Sequence, residues 1–185
     1  MITVLSFYKL QKIKKIKNFK NLLFKKINSL SVKGIIILSP EGINGTLAGK
    51  AKNIKIFKKI ITKNLNISKF DIQNITKSKF IPFLKAKIKI KAEVVPINEK
   101  YKFDKKFKKK YLTPSQWNKF LDLKNSKIID ARKPFEYEVG TFKKAINPNT
   151  YKFREFKNYL STVKKDEQVG MFCTGGIRCE KASNY

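Results

Sequence analysis

The chain has 185 residues and a formal net charge of +30, carried by forty lysines and three arginines against thirteen acids. It has no histidine and two cysteines, which excludes Ser-His-Asp and Cys-His catalysis and argues against a closed zinc site. We therefore predict no metal site. No apolar stretch reaches the ~18 residues of a membrane-spanning helix, and the N-terminus lacks the pattern of a secretory signal, so we predict a cytoplasmic protein.

The positive charge is concentrated in the first part of the chain. Residues 1–110 carry 29 lysines and five acids, whereas the remainder carries 14 basic and eight acidic residues. A positive field of this size attracts nucleic acid or an anionic membrane surface. The excess of lysine over arginine is also typical of an AT-rich genome, so composition alone explains part of the charge.

The first segment alternates between predicted strands and helices. We predict a strand at Ile2–Tyr8, an amphipathic helix, a hairpin of strands 34–39 and 43–48 that turns at Pro40-Glu41-Gly42, and a second amphipathic helix. The apolar faces of the two helices consist of Phe19, Leu22, Leu23, Ile27 and Leu30, then Ile54, Phe57, Ile60, Ile61 and Leu65.

A final strand closes this segment, because apolar residues from Leu84 to Ile90 alternate with lysines. The order βαββαβ predicts a ferredoxin-like (acylphosphatase-like) α+β domain at residues 1–97, with its helices on one sheet face. The lysines then lie on the other face, where they either follow an RNA phosphate backbone or form an ordinary solvated surface. These lysines are Lys85, Lys87, Lys89 and Lys91.

A lysine-rich stretch at 98–112 predicts a solvated linker to a second domain at 113–185. That domain opens with Thr113-Pro114-Ser115-Gln116, the pattern of a capped helix start. A short strand at Ile128–Ile129, a helix at Tyr151–Leu160 and a further strand around Val169 follow. Strands that alternate with helices predict a parallel α/β sheet.

Two polar residues follow directly after these strands. Asp130 and Cys173 lie where open α/β sheets collect their ligand groups. Asp130 is interpreted first as a cap or as a partner of Arg132, with direct catalysis as the alternative. Glu136 and Glu138 are interpreted as surface charges on a short helix.

The segment MFCTGGIRCEKA predicts an anion-binding cysteine loop. Its residues after Cys173 are Thr174, Gly175, Gly176, Ile177 and Arg178, and a helix starts near Cys179. Loop amides, the helix dipole and Arg178 all favour a thiolate, so Cys173 is predicted to be a nucleophile with a lowered pKa. The alternatives are a buried, inert Cys173 and a transient redox pair with Cys179.

Several strings together resemble a rhodanese domain: Asp130-Ala131-Arg132, EYEVGTFKKAINPNT from Glu136 to Thr150, FREF from Phe153 to Phe156, and the cysteine loop. More narrowly, they resemble the bacterial rhodanese-like family that hydroxylates the wobble uridine of tRNA with molecular oxygen. SPEGINGTLAG, from Ser39 to Gly49, is similar to the acylphosphatase-like domain of that family. The resemblance covers nearly the whole chain.

The resemblance implies an oxidoreductase that forms 5-hydroxyuridine in the tRNA anticodon arm, with molecular oxygen as co-substrate and no identified cofactor. It implies Cys173 as the catalytic residue, passing through a cysteine persulfide as in sulfurtransferases, with Asp130, Arg132 and Cys179 in support. The loop from Cys173 to Arg178 has the six-residue length of sulfur-handling rhodaneses rather than the longer loop of related phosphatases.

The family pattern also predicts more chain after the cysteine loop than is present before Tyr185. We therefore expect a rhodanese-like domain that is truncated after its active-site loop. Two other functions follow from the same residues: a sulfurtransferase that moves sulfane sulfur from a small donor, and a non-catalytic RNA-binding remnant.

Overall fold

The computed structural model describes residues 1–103, 111–164 and 166–185. The chain forms two compact units, Met1–Val94 and Val95–Tyr185. Within the described parts, we find no helix with the length and apolarity that crossing a bilayer requires.

The first unit is a five-stranded sheet with two helices. Its elements are β1 (Ile2–Leu10), α1 (Ile16–Ser29), β2 (Lys33–Ser39), β3 (Gly42–Gly49), α2 (Ala51–Leu65), β4 (Ile72–Ser78) and β5 (Ala86–Ile90). The strand order is β4-β1-β3-β2-β5, in which β5 runs parallel to β2 and the other pairs are antiparallel. The first four strands form the ferredoxin-like arrangement, which confirms the predicted α+β fold.

The two helices pack on one face of this sheet. Their apolar faces are buried as predicted at Phe19, Leu23 and Ile27 of α1 and at Ile54 and Phe57 of α2, among others. The strands contribute side chains at alternate positions, which is the spacing that places them on a single face. These strand residues are Leu5, Phe7, Ile36, Leu38, Ile43, Leu47 and Ile88.

The prediction of which strand closes the βαββαβ order was wrong. The closing strand is β4, and the predicted strand at 84–91 is an additional edge strand, β5. The sequence of β4, IQNITKS, shows no apolar alternation because it lies at the sheet edge and is exposed at most positions. Leu84 lies outside β5 and is 95% exposed, so it does not belong to the core.

Gly34 in β2 occupies a position that no other residue can adopt without strain. Its φ is +132°, and a Cβ there would lie 2.1 Å from the carbonyl oxygen of Thr46 on β3. We expect Gly34→Ala to lower the free energy of unfolding of this unit by about 3 kcal/mol, since both the backbone and the strand pairing must shift. Urea unfolding followed by circular dichroism measures this loss.

The matched control for this prediction is Gly49→Ala in β3. A Cβ at Gly49 would meet Val32 and Ile54 at ordinary contact distances of 3.4 and 3.7 Å. An equal loss of stability in the two variants would contradict the account of Gly34.

The second unit contains α3 (Pro114–Leu121), β6 (Ser126–Asp130), α4 (Pro134–Val139), α5 (Phe156–Leu160), β7 (Gln168–Phe172) and α6 (Ile177–Asn184). Strands β6 and β7 are parallel, as the sequence predicts. The capping box of α3 is also confirmed, because Thr113 and Gln116 exchange hydrogen bonds. The predicted helix at Tyr151–Leu160 is instead a 3₁₀ turn at Phe153–Glu155 followed by α5. The core contains Ile97, Ile129, Ala131, Phe156 and Ala182.

The predicted linker at 98–112 includes residues 104–110, which lie outside the described residues. The residues on either side of them are attached to α6. Asn184 accepts a hydrogen bond from the Lys102 amide at 2.6 Å and donates one to the Lys102 carbonyl at 2.8 Å. The hydroxyls of Tyr101 and Tyr111 donate to the buried carboxylate of Glu180. The described flanks therefore hold the helix that follows the cysteine loop.

Candidate active site

The cysteine loop lies at the carboxyl end of the β6–β7 pair. Asp130, the last residue of β6, is in register with Phe172, the last residue of β7, and Cys173 follows immediately. Gly176 has a φ of +80°, which turns the chain into α6, and its amide donates a hydrogen bond to Cys173 Sγ at 3.1 Å. The fold thus brings the two predicted polar positions to one edge of the sheet.

The surroundings of Cys173 favour its thiolate. A hydrogen bond from the Cys179 side chain lowers the pKa of Cys173 to about 5, with further contributions from the Cys179 and Arg178 amides and the Arg178 charge that together outweigh burial. Hydrogen bonding to Cys173 and burial raise the pKa of Cys179 well above its usual value. At neutral pH the pair therefore consists of one thiolate and one thiol that donates to it.

This arrangement predicts the pH dependence of Cys173 alkylation. We expect the rate to rise with a midpoint near the pKa of about 5, and Cys179→Ala to move the midpoint upward because a donor to the thiolate is lost. Stopped-flow alkylation measures this midpoint, and Cys173→Ser identifies the signal.

Cys179→Ser is the matched control for the alkylation series, because serine keeps a donor at the same position. Its midpoint should stay closer to that of the unmodified protein than the midpoint of Cys179→Ala. A midpoint in the unmodified protein at or above the free thiol value of about 8.5 would contradict the assignment.

Arg178 is held by Glu136. The guanidinium donates to both carboxylate oxygens of Glu136 at 3.0 Å, and the Thr174 hydroxyl donates to the same carboxylate at 2.6 Å. These hydrogen bonds, of which those from Arg178 have the largest effect, lower the pKa of Glu136 to about 2 despite partial burial. The prediction that Glu136 is a surface charge was therefore wrong, because this carboxylate fixes both ends of the cysteine loop. Glu138 is exposed, as predicted.

Asp130 binds Arg132 in a second ion pair beside the loop. Asp130 is fully buried and accepts from Nε and Nη2 of Arg132 at 2.8 and 2.6 Å and from the Thr141 hydroxyl at 2.9 Å. Burial alone would raise the pKa of Asp130, but these hydrogen bonds outweigh it and lower the pKa. These contacts agree with the interpretation of Asp130 as a partner of Arg132.

A cavity of about 320 Å³ opens beside Cys173. Arg132 and Thr141 line it together with Phe142 and Phe172, whose rings meet edge to face with centroids 4.8 Å apart. Trp117 packs behind both rings, with centroid distances of 5.4 and 6.1 Å. The nucleophile therefore faces a space with aromatic walls, which is typical of sites for planar ligands.

Most of the predicted site residues come together in this unit. Asp130, Arg132, Cys179 and the loop from Cys173 to Arg178 all lie in the second unit, at and beyond the carboxyl end of the β6–β7 pair, whereas the four lysines at 85–91 belong to the other unit. Neither Glu136 nor Phe142 was predicted as a site residue. The Pro134-Phe135-Glu136 start of α4 signalled a helix, but nothing in the local sequence pairs Glu136 with an arginine 42 positions later. Within the described ranges, no group of three His, Cys, Asp or Glu side chains is placed to hold a metal ion.

Comparisons with known proteins match the first unit and the chain as a whole. Residues 2–94 match the family model described as UPF0176 acylphosphatase like domain. The chain is 48% identical over 185 residues to the tRNA uridine(34) hydroxylase of Pelagibacter ubique, covering all of this chain and 61% of that protein. It is 37% identical over 188 residues to the tRNA uridine(34) hydroxylase of Legionella pneumophila strain Corby, covering all of this chain and 73% of that protein.

Among solved structures, the acylphosphatase from Bacillus subtilis matches 48% of this chain and 98% of its own, with a TM-score of 0.36 and 11% identity. The family of the chain is decided by the sequence matches, since they extend through the cysteine loop. The chain belongs to the UPF0176 family. It spans 61% to 73% of the length of the two relatives described above.

Proposed function

We propose that this protein hydroxylates C5 of the wobble uridine of tRNA, with Cys173 as the catalytic residue and molecular oxygen as co-substrate. The observation that carries the proposal is a cysteine whose pKa is lowered to about 5 at the mouth of an aromatic-walled cavity. The relatives named tRNA uridine(34) hydroxylase support uridine 34 of tRNA as the substrate and hydroxylation as the reaction.

The reaction has a definite balance. One atom of molecular oxygen enters the C5–H bond of uracil, and the other leaves as water after two electrons and two protons arrive from an external reductant. Cys173 is ionised at neutral pH, so its thiolate supplies the nucleophilic sulfur. A persulfide forms there only if the thiolate attacks the outer sulfur of a sulfane donor such as thiosulfate, which then leaves as sulfite. The loop amide at Gly176 and the charge of Arg178 stabilise the anion on that sulfur.

The anticodon arm of tRNA is the proposed partner of the basic first unit. A splayed-out nucleotide in a single-stranded loop exposes the base edges that a protein can contact. The proposed phosphate contacts are Lys85, Lys87, Lys89 and Lys91, all of them exposed. Lys87 and Lys89 stand in register with Ile35 and Ile37 of β2, on the sheet face opposite the helices.

RNA binding should weaken steeply with salt, and the four lysines on and beside β5 should account for part of the slope. Replacing all four by glutamine is expected to reduce the slope of log K against log salt by about 3, since each lost contact to single-stranded phosphate removes about 0.7. Fluorescence anisotropy with a tRNA anticodon stem-loop over a salt series measures the slope.

A matched set of exposed lysines on α2 controls for the general loss of charge. The control replaces Lys52, Lys55, Lys59 and Lys63, which lie on the helix-covered side of the unit. The two quadruple variants have the same net charge. If their slopes are equal, the lysines of β5 have no specific role in RNA contact.

We propose a cytoplasmic location, because the proposed tRNA substrate is cytoplasmic.

The reaction is tested by nucleoside analysis of tRNA incubated with the purified protein, a reductant and either air or nitrogen. We expect 5-hydroxyuridine only in air.

A sulfurtransferase is the second candidate, favoured by the six-residue loop from Cys173 to Arg178. Transfer of sulfur from thiosulfate without any modified uridine would support that candidate instead.

A further inference from the structure

We propose that the cavity beside Cys173 is a base-binding site that selects uracil, with Phe142 as the stacking residue and Arg132 as the donor that contacts the O4 oxygen of the base. This inference depends on the proposed function, whose substrate it specifies at the level of the base. Its ligand is one pyrimidine of a single-stranded RNA.

The stacking role of Phe142 follows from its position. The ring lines the cavity together with Cys173, and the residue is 41% exposed although it packs edge to face with Trp117 and Phe172. A partly exposed phenyl ring that its neighbours already hold in place loses little entropy when a base stacks on it. The same cavity then contains both the base and the thiolate.

The selectivity of Arg132 follows from its hydrogen bonds. Nε and Nη2 are bound to Asp130, and Nη2 also donates to the carbonyl of Gly140 at 2.6 Å. Among the residues that the structure describes, Nη1 has no hydrogen-bond partner. Because a guanidinium only donates, Nη1 fits the keto oxygen O4 of uracil and opposes the amino group at the same position of cytosine. O4 is carried by C4, the direct neighbour of the C5 atom that the proposed reaction modifies.

The charge balance of the cavity favours a neutral ring over a small anion. The charge of Arg132 is compensated by the buried carboxylate of Asp130 at 2.6 Å, and that of Arg178 by Glu136 at 3.0 Å. The rest of the lining consists of two phenyl rings, two threonines, a glycine and Cys173, whose thiolate repels a second negative charge. Thiosulfate or phosphate would therefore gain little here, whereas a planar base gains stacking and a hydrogen bond.

The single tryptophan of the chain makes the inference testable without catalysis. Trp117 contacts the rings of Phe142 and Phe172, so its fluorescence reports entry of a base into the cavity. The full chain is titrated with a short single-stranded RNA that has one central uridine, and with versions that carry cytidine or an abasic site at that position. We expect quenching by the uridine RNA at concentrations about tenfold lower than for cytidine, and none with the abasic RNA.

Substitutions identify the residues responsible. Phe142→Leu should weaken the uridine-dependent quenching about tenfold, whereas Phe142→Tyr should retain it because the ring remains. Tyr151→Leu is the matched control, since Tyr151 is 72% exposed and does not line the cavity. Arg132→Lys keeps a positive charge beside Asp130 but loses the planar fork, and the preference for uridine over cytidine should fall toward one.

Equal quenching by the uridine, cytidine and abasic RNAs would overturn the inference. So would unchanged binding of the uridine RNA by Phe142→Leu, or saturation of the Trp117 signal by thiosulfate alone. Uridine-selective quenching without any 5-hydroxyuridine would leave this inference standing and would remove only the proposed reaction. Formation of 5-hydroxyuridine at an unchanged rate by Phe142→Leu would support the proposed reaction and overturn this inference.

Discussion

Cys173→Ala is expected to reduce formation of 5-hydroxyuridine in tRNA at least about a thousandfold, to the limit of detection. The thiolate is a strong nucleophile that lines the cavity, and it is stabilised by hydrogen bonds from Cys179 and the Gly176 amide. Alanine removes the sulfur while filling almost the same space. Quantitative mass spectrometry of nucleosides from treated tRNA measures the loss.

Cys179→Ser serves as the comparison for the Cys173 variant. Serine keeps a donor next to Cys173, so we expect a loss of about tenfold or less, reflecting a partial rise in the pKa of the Cys173 thiol. Tryptophan fluorescence and circular dichroism of each variant test whether the fold is kept. Full hydroxylation by Cys173→Ala would remove Cys173 from the mechanism.

Glu136→Gln is expected to lower activity about a hundredfold, although Glu136 does not contact the sulfur. The carboxylate binds Arg178 through two hydrogen bonds and also accepts from Thr174, so its loss releases the loop at both of its ends. A nucleophile displaced by about 1 Å typically loses this much activity. Glu138→Gln, a change in the same helix at an exposed position, should have no effect.

The same substitution should change how stability depends on pH. The pKa of Glu136 is about 2 in the folded protein against 4.5 as the reference value, so its ion pair stabilises the fold fully above about pH 4.5 and is lost as the pH falls toward 2. This shift corresponds to about 3 kcal/mol at most. Urea unfolding followed by Trp117 fluorescence should show a shallower acid-side loss in Glu136→Gln. If the free energy of unfolding falls with acid as steeply as before, the ion pair of Glu136 with Arg178 contributes little to stability.

The fold of the first unit could largely be predicted from local patterns. Helices α1 and α2 have apolar residues at helical spacing, and the Pro40-Glu41 turn joins two strands at the predicted positions. Strand β4 could not be predicted, because an edge strand paired on one side only needs no apolar alternation. The strongly alternating segment that forms β5 was therefore predicted to occupy the position in the sheet that β4 occupies.

The candidate site divides in the same way. Cys173, Gly176 and Arg178 lie within one short motif, so the cysteine loop was visible in the sequence. Glu136 and Phe142 are recruited from α4 and the segment after it, and only the packing of the parallel strands brings them to Cys173. The charge of Arg178 and its backbone amide favour the Cys173 thiolate, as the sequence predicts, whereas the binding of its guanidinium by Glu136 could not be predicted from local sequence.

The proposed reaction inserts an atom of molecular oxygen into the wobble uridine of tRNA at Cys173. Incubation of the protein and unmodified tRNA with isotopically heavy molecular oxygen in ordinary water, followed by mass spectrometry of the nucleosides, tests this reaction. We expect 5-hydroxyuridine that carries one heavy oxygen atom, and no such product from Cys173→Ala. A hydroxyl oxygen that comes from water, or labelled product in the Cys173→Ala reaction, would contradict it.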